Sequence, residues 1–412
     1  MNRVLAPIHA PLWGGLHTIA ERVAPLSAEH GWPWTVVLPA GDGDNGRDRL
    51  ERAGVRVVEI PLRRVRRSRS LRTQGEFVTT LPLDSWRLAR LARRERATVV
   101  QVAGLLHVHG AIAATGCGLP LVWQLHSDQP PARLRRLLTP VVVALADSVM
   151  TSGAGMVASH PGLDRAGDRL LSFTAPVDVQ EFRPDLERRA RARTGFGAGE
   201  GDVVVGIVGG RGPNKNHRML VEVAIETAAT HPHVKYAICG PWLEQHRASY
   251  EADVIGLARR HGLLDRGIVT FHEPEDQVST YLDGFDLFAL TSLGEGASIV
   301  TAEALASGVP VLVNDVGSLR DSVAVGRSGY VNESNSVDEL ARYVLELADD
   351  PTRRAAFGHA AREIAEQRFS NDACADVHIV AYEAAVEARR ARTRWSRHAP
   401  RPRSIATPAG PS

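Results

Sequence analysis

Lysine is nearly absent from this sequence. Only Lys215 and Lys235 occur, and every other one of the 49 basic residues is arginine. Such a bias fits a GC-rich bacterial genome that drifts toward arginine wherever either cation serves. A lysine kept against that drift marks a place where a compact ammonium is needed, with chance survival as the alternative. Cysteine is also scarce: Cys117, Cys239 and Cys374 are far apart and lack metal-ligand spacing. That excludes a disulfide framework or a zinc site and fits a reducing cytoplasm. No apolar run approaches the roughly 18 residues of a membrane span; the longest, 140–146, reads as core. The N-terminus carries Arg3 and then turns strand-like and Gly-rich, without a signal-peptide cleavage region. Charge of one sign is missing too. The 47 acids nearly cancel the bases, and aromatics make up only 5% without interleaving the arginines, so no nucleic-acid partner is expected.

What is present points to two α/β domains, since 412 residues exceed one ordinary core. Short β-branched runs at 4–8, 35–38, 55–60, 98–102, 120–125, 149–151 and 171–173 alternate with helical stretches. That is the pattern of an open parallel sheet covered on both faces. It predicts a first domain over 1–184, and the Arg/Ala- and Gly-rich stretch 185–201 reads as a linker. A second strand-helix series from 203 predicts another domain over 202–370. A helix over 371–390 follows, and the Pro/Ser/Arg-rich tail 391–412 reads as disordered. Pro25 should kink or divide the first helix. Residues 42–46 (DGDNG) contain an Asp-x-Asp, but their Gly/Asn surroundings suit a solvated loop rather than a metal site. Residues 63–72 (RRVRRSRSLR) hold six arginines. They are either solvated or meet an anionic acceptor; a membrane surface is disfavoured because only Val65 and Leu71 could anchor there.

The most informative stretch is TSLGEGASIVTAEALASGVPVLV, 291–313. Residues 287–290 read as a buried strand and Gly294-Glu295-Gly296-Ala297 as the turn leaving it. Ser298 is a suitable helix N-cap, and Gly308 and Pro310 stop the helix. The turn aims free N–H groups and a helix dipole at a ligand above the strand end, where a phosphate or sugar hydroxyl fits. Glu295 and Glu303 flank that position. GGRGPNKN (209–216) likewise sets Arg211 and Lys215 between a strand end and a helix N-terminus, the physics of a diphosphate site. The retained lysine falls here.

Residues 295–312 resemble the E-x(7)-E signature of retaining GT-B-fold glycosyltransferases of family 4, with Ala297-Ser298 in place of the usual Phe-Gly. Residues 209–215 resemble the family's V-G-R-L-x-x-x-K segment, in which Gly210 takes the Arg place or the loop is one residue shorter. His126 in WQLHSD (123–128) is similar to the family histidine that touches the donor sugar, and Gly14-Gly15 to its phosphate-facing Gly loop. The resemblance implies an α/β fold of two facing doubly wound Rossmann-like domains, with acceptor on the first and nucleotide sugar on the second. It implies catalytic roles for His126, Glu295, Lys215 and Arg211. Donor binding would fall to Gly14, Gly15, Gly210, Arg211, Lys215, Gly296, Ala297, Ser298, Ile299 and Glu303, the last on the ribose. The expected protein is a cytoplasmic, metal-independent hexosyltransferase, with a nucleoside-diphosphate sugar (UDP favoured over GDP) as co-substrate and no resident cofactor. The acceptor is open: a small molecule, a glycan or a lipid-linked group, without stable membrane association. A GT-B epimerase or phosphorylase is the nearest alternative. His107 and His109 lie in an apolar stretch and read as packing, with an acceptor-side role as the other possibility.

Overall fold

The computed structural model describes residues 2–10, 13–41, 46–63, 71–273 and 278–398, leaving aside the side chains of 71–78 and 393–398. Asp42 to Asn45 of the DGDNG loop, residues 64–70 of the arginine segment and the tail after His398 lie outside the described residues.

Two parallel sheets organise the chain. The first contains β1 (Val4–Pro7), β2 (Trp34–Pro39), β3 (Arg56–Ile60), β4 (Val99–Ala103), β5 (Leu121–Leu125), β6 (Ser148–Thr151) and β7 (Leu170–Ser172), in the order β3-β2-β1-β4-β5-β6-β7. The second contains β8 (Val203–Val208), β9 (Val234–Cys239), β10 (Val269–His272), β11 (Leu287–Leu290), β12 (Val311–Asn314) and β13 (Gly329–Asn332), ordered β10-β9-β8-β11-β12-β13. Each is doubly wound and reverses beside its first strand, at β1/β4 and at β8/β11. Ligands settle outside the carboxyl ends at such switch points. The central strands are buried along their whole length, as continuous Val/Ile/Leu runs require when helices cover both faces.

Three differences from the sequence reading matter. The stretch expected as a linker contains a helix, Leu186–Gly195, capped by Asp185, whose side chain accepts from Arg188 N at 2.9 Å. Its arginines are drawn onto the second domain. Arg188 bonds Asp283 at 2.5 Å, and Arg189 and Arg193 each bond Asp286 at 2.7 Å. Arginine density there marked ion pairing rather than a solvated link. The first helix, Gly15–Glu29, runs through Pro25 undivided. The proline lies in the C-terminal half of the helix, where its missing N–H removes one bond to the carbonyl of Glu21. The final helix, Asn371–His398, passes the expected end near 390. It packs Cys374, Ala381, Tyr382 and Ala385 into the first domain's core, and Tyr382 donates to Gln101 Oε1 at 2.5 Å. This helix thereby returns the chain from the second domain to the first.

Candidate active site

On the second domain, the turn after β8 and the turn after β11 are laced together. Leu293 N donates to Asn214 O at 2.8 Å, and Asn214 Nδ2 donates to Gly294 O at 3.0 Å. Thr291 Oγ1 lies 2.9 and 3.0 Å from the carbonyls of Lys215 and Asn216. This lacing places Lys215 Nζ 2.6 Å from Glu295 Oε1, and Ser292 Oγ donates to the same oxygen at 2.7 Å. The lysine stem lies across Gly209, where a Cβ would come within 2.9 Å of Lys215 Cε. Any side chain at 209 would displace the ammonium. Ser298 caps the helix Ile299–Ala306, its Oγ accepting from Thr301 Oγ1 at 2.9 Å and from Thr301 N at 3.4 Å. Both acceptor positions of its hydroxyl are thus used, so the helix start can present to a ligand the Ser298 O–H proton, backbone N–H groups and the dipole.

The first domain supplies the opposite wall. Gly14 and Gly15 open the first helix, and Thr18 and Arg22 follow at helical spacing on the cleft side. Arg22 reaches across to Glu303 Oε1 at 3.0 Å and donates to Pro176 O at 2.8 Å. Both side chains are nearly buried, 12% and 9% exposed. Burial pushes the Glu303 carboxyl above its ordinary range, and Arg22 opposes that shift. His126 stands just beyond β5, pushed down to about 4 by burial, so its ring is neutral at pH 7. The domains meet closely there: a Cβ on Gly296 would fall 1.5 Å from His126 O. Ser152 and Ser318 hydroxyls bond at 2.7 Å, and Gly155 N donates to Asp321 Oδ2 at 3.1 Å, holding the same seam. Between the walls lies a cleft of about 480 Å³. Gly14, Gly15, Lys215, Glu295, Ala297, Ser298, Ile299 and Glu303 all line it.

Two expected donor residues point elsewhere. Arg211 is 3% exposed; its guanidinium donates to His272 O at 2.8 Å and lies 4.4 Å over the Trp242 ring. Its backbone N–H bonds Pro241 O at 2.9 Å, which turns the side chain into the β9–β10 side of the domain. The expectation that Arg211 faces the diphosphate is therefore corrected: it braces the loop, and of the two cations in that turn Lys215 is the one that lines the cleft. Gly210 lies against Leu243, 3.5 Å from where its Cβ would be. Sequence reading missed Trp13, Arg22 and Arg49. Arg49 stacks 4.2 Å over Trp13 and bonds both oxygens of Glu21 at 2.6 and 2.9 Å. A helical projection of residues 15–22 was the available signal for Arg22.

Two facing doubly wound domains with a cleft at the carboxyl ends of both sheets define the GT-B architecture. Structures with this fold include HepE of Anabaena in complex with UDP (TM-score 0.75, 20% identity, covering 93% of this chain and 100% of that one). Sucrose-phosphate synthase of Thermosynechococcus elongatus is another (TM-score 0.73, 17% identity, 94% and 100% covered). Residues 14–176 match the family described as glycosyl transferase 4-like domain, and 189–364 the family described as glycosyl transferases group 1. The chain is 28% identical over 318 residues to a D-inositol 3-phosphate glycosyltransferase of Streptomyces avermitilis, covering 70% of this chain and 67% of that one. It is 27% identical over 348 residues to the 2-deoxystreptamine glucosyltransferase of Streptomyces kanamyceticus, covering 80% and 88%. The protein is a GT-B glycosyltransferase of the GT4 type. Among the described residues no helix is long and apolar enough to cross a membrane.

Proposed function

We propose that the protein transfers a hexosyl group from a nucleoside-diphosphate sugar, UDP in preference to GDP, to an acceptor hydroxyl with retention at the anomeric carbon. The observation that carries this reading is the Lys215 ammonium, held 2.6 Å from Glu295 where the capped helix Ile299–Ala306 opens into the cleft. A diphosphate in that position meets one compact cation and a set of backbone amides, which stabilise the charge that grows as it departs. The bond from C1 to the phosphate oxygen breaks with its electron pair on the phosphate. The acceptor oxygen bonds C1, and the hydroxyl proton passes to the departing phosphate. Both bonds to Glu295 end on Oε1, so Oε2 is the atom offered to sugar hydroxyls. Glu303, steadied by Arg22, accepts from the ribose, and neutral His126 bonds the sugar from the first domain. The UDP complex of HepE and the glucosyltransferase relative support the donor class; retention rests on resemblance to family 4.

The experiment is a panel of UDP- and GDP-sugars assayed for nucleotide release, with the anomeric coupling of any glycoside read by proton NMR. Turnover of no nucleotide sugar overturns the function, and an inverted product overturns retention.

A further inference from the structure

Strand β11 leaves its sheet just before the residues that hold Lys215 and Glu295 together. Its pairing with β12 ends at Leu290 and Val313, so Thr291 and Ser292 lie beyond the ladder. The side chain of Asn314, the last residue of β12 and 2% exposed, takes up their carbonyls. Its Nδ2 lies 3.0 Å from Thr291 O and 3.4 Å from Ser292 O, with Met219 Sδ a weaker neighbour at 3.6 Å. An amide can continue a ladder in this way because it supplies two donors and an acceptor without a main chain. The orientation of this amide is set from behind. Ser336 N–H can only donate, and it meets Asn332 Oδ1 at 3.2 Å. That leaves Asn332 Nδ2 to donate to Asn314 Oδ1 at 2.9 Å and to Ser336 O at 3.0 Å. The N–H end of Asn314 therefore faces β11.

Each residue so held is tied to one member of the ion pair. Thr291 Oγ1 bonds the carbonyls of Lys215 and Asn216, which sets the height of the lysine turn above the sheet. Ser292 Oγ donates to Glu295 Oε1 at 2.7 Å, the oxygen that Lys215 Nζ meets at 2.6 Å. One buried amide thus stands behind both charges. Asn314 does not line the cleft, so its effect on a donor has to pass through these neighbours. Aspartate has the same shape as asparagine but would turn an acceptor toward two carbonyl acceptors, and alanine would remove the donor without adding one.

We infer that Asn314 is a positioning residue for the donor site, setting the Lys215 ammonium against the Glu295 carboxylate through Thr291 and Ser292. This rests on the reading of Lys215 as the diphosphate cation, and the test separates the two. UDP binding is measured by calorimetry, well below every melting temperature, for the unchanged protein, Asn314→Asp, Lys215→Ala and the double variant. Asn314→Asp should weaken UDP binding about tenfold, a coupling within the range for residues of one hydrogen-bond network. In the Lys215→Ala background the same substitution should weaken it by less than about threefold, because the pair it aligns is already broken. A purely structural asparagine would lower the melting temperature and leave the two backgrounds alike. Asn314→Ala carries the same comparison where the aspartate variant does not fold. Unchanged UDP affinity in a folded Asn314 variant, equal losses in both backgrounds, or failure of both Asn314 variants to fold overturns the inference. Failure of the unchanged protein to bind UDP, or UDP binding indifferent to Lys215→Ala, overturns the donor reading instead.

Discussion

Across the cleft the two domains present different polar groups. On the second domain, Lys215, Ser292 and Glu295 converge within 2.6–2.7 Å, and the turns that carry them are bonded to each other. On the first, His9 and His126 carry buried nitrogens without partners among the described residues. A pre-paired cation and carboxylate suit a ligand that brings its own strong charge, because the ammonium can exchange one anion for another without being left bare. The first domain's imidazoles, neutral through burial, bring no charge to such an exchange. On the proposed reading, donor contacts would depend on loop amides and one lysine, with side chains of the first domain on the opposite wall.

The strongest way to break the comparison is to remove its charged half. Lys215→Ala should lower kcat/KM for transfer by about 10²–10³, the usual loss when one group stabilising a developing oxyanion is removed. Lys215→Arg should recover only part, since a planar fork does not replace a point charge. Wild-type kinetics for the alanine variant would remove Lys215 from the site.

Next in size is the ion pair of Arg22 with Glu303, which joins the two walls. Arg22→Ala leaves Glu303 buried without its cation, at a cost of about 3 kcal/mol, the lower end for a broken buried pair. The melting temperature should fall and the donor KM rise several-fold, with kcat little changed. A change confined to kcat would contradict the ribose role of Glu303.

Buried imidazoles on both domains predict sensitivity to acid. His9 and His217, at about 3, and His378, at about 4, are held below the usual imidazole range by burial. The unfolded chain therefore binds more protons than the folded one below about pH 6.5, and each of these groups removes up to ~1.4 kcal/mol per pH unit there. Melting temperature should decline from about pH 6.5 downward and stay flat above it, and His9→Phe should make that decline shallower. An acid-insensitive melting curve would mean these imidazoles titrate normally.

The smallest effect expected is none. On the proposed reading Lys215 and the helix amides hold the diphosphate without a bridging cation, so transfer measured after EDTA treatment should match the untreated rate. A complete loss reversed by Mg²⁺ would place a bridging cation in the site.

The donor wall was legible in the sequence because its geometry is local. A strand end, a glycine turn, the Ser298 cap and the Gly308 stop are set by the backbone preferences of adjacent residues, so Glu295 and Glu303 could be placed before any fold was known. The parallel sheets were legible for the same reason, from continuous β-branched runs. Arg211 shows where that reasoning ended. Its place in the turn was readable, but its direction was decided by Trp242 and His272 on neighbouring strands. Asn314 reaches Thr291 because β11 and β12 are neighbours in the sheet, and Arg22 finds Glu303 across 281 positions because the two domains close on each other. Residue types and short spacings thus determined the turns and the helix that carry Lys215, Glu295 and Glu303. Strand order and domain packing, which no local preference encodes, decided which side chains face the cleft.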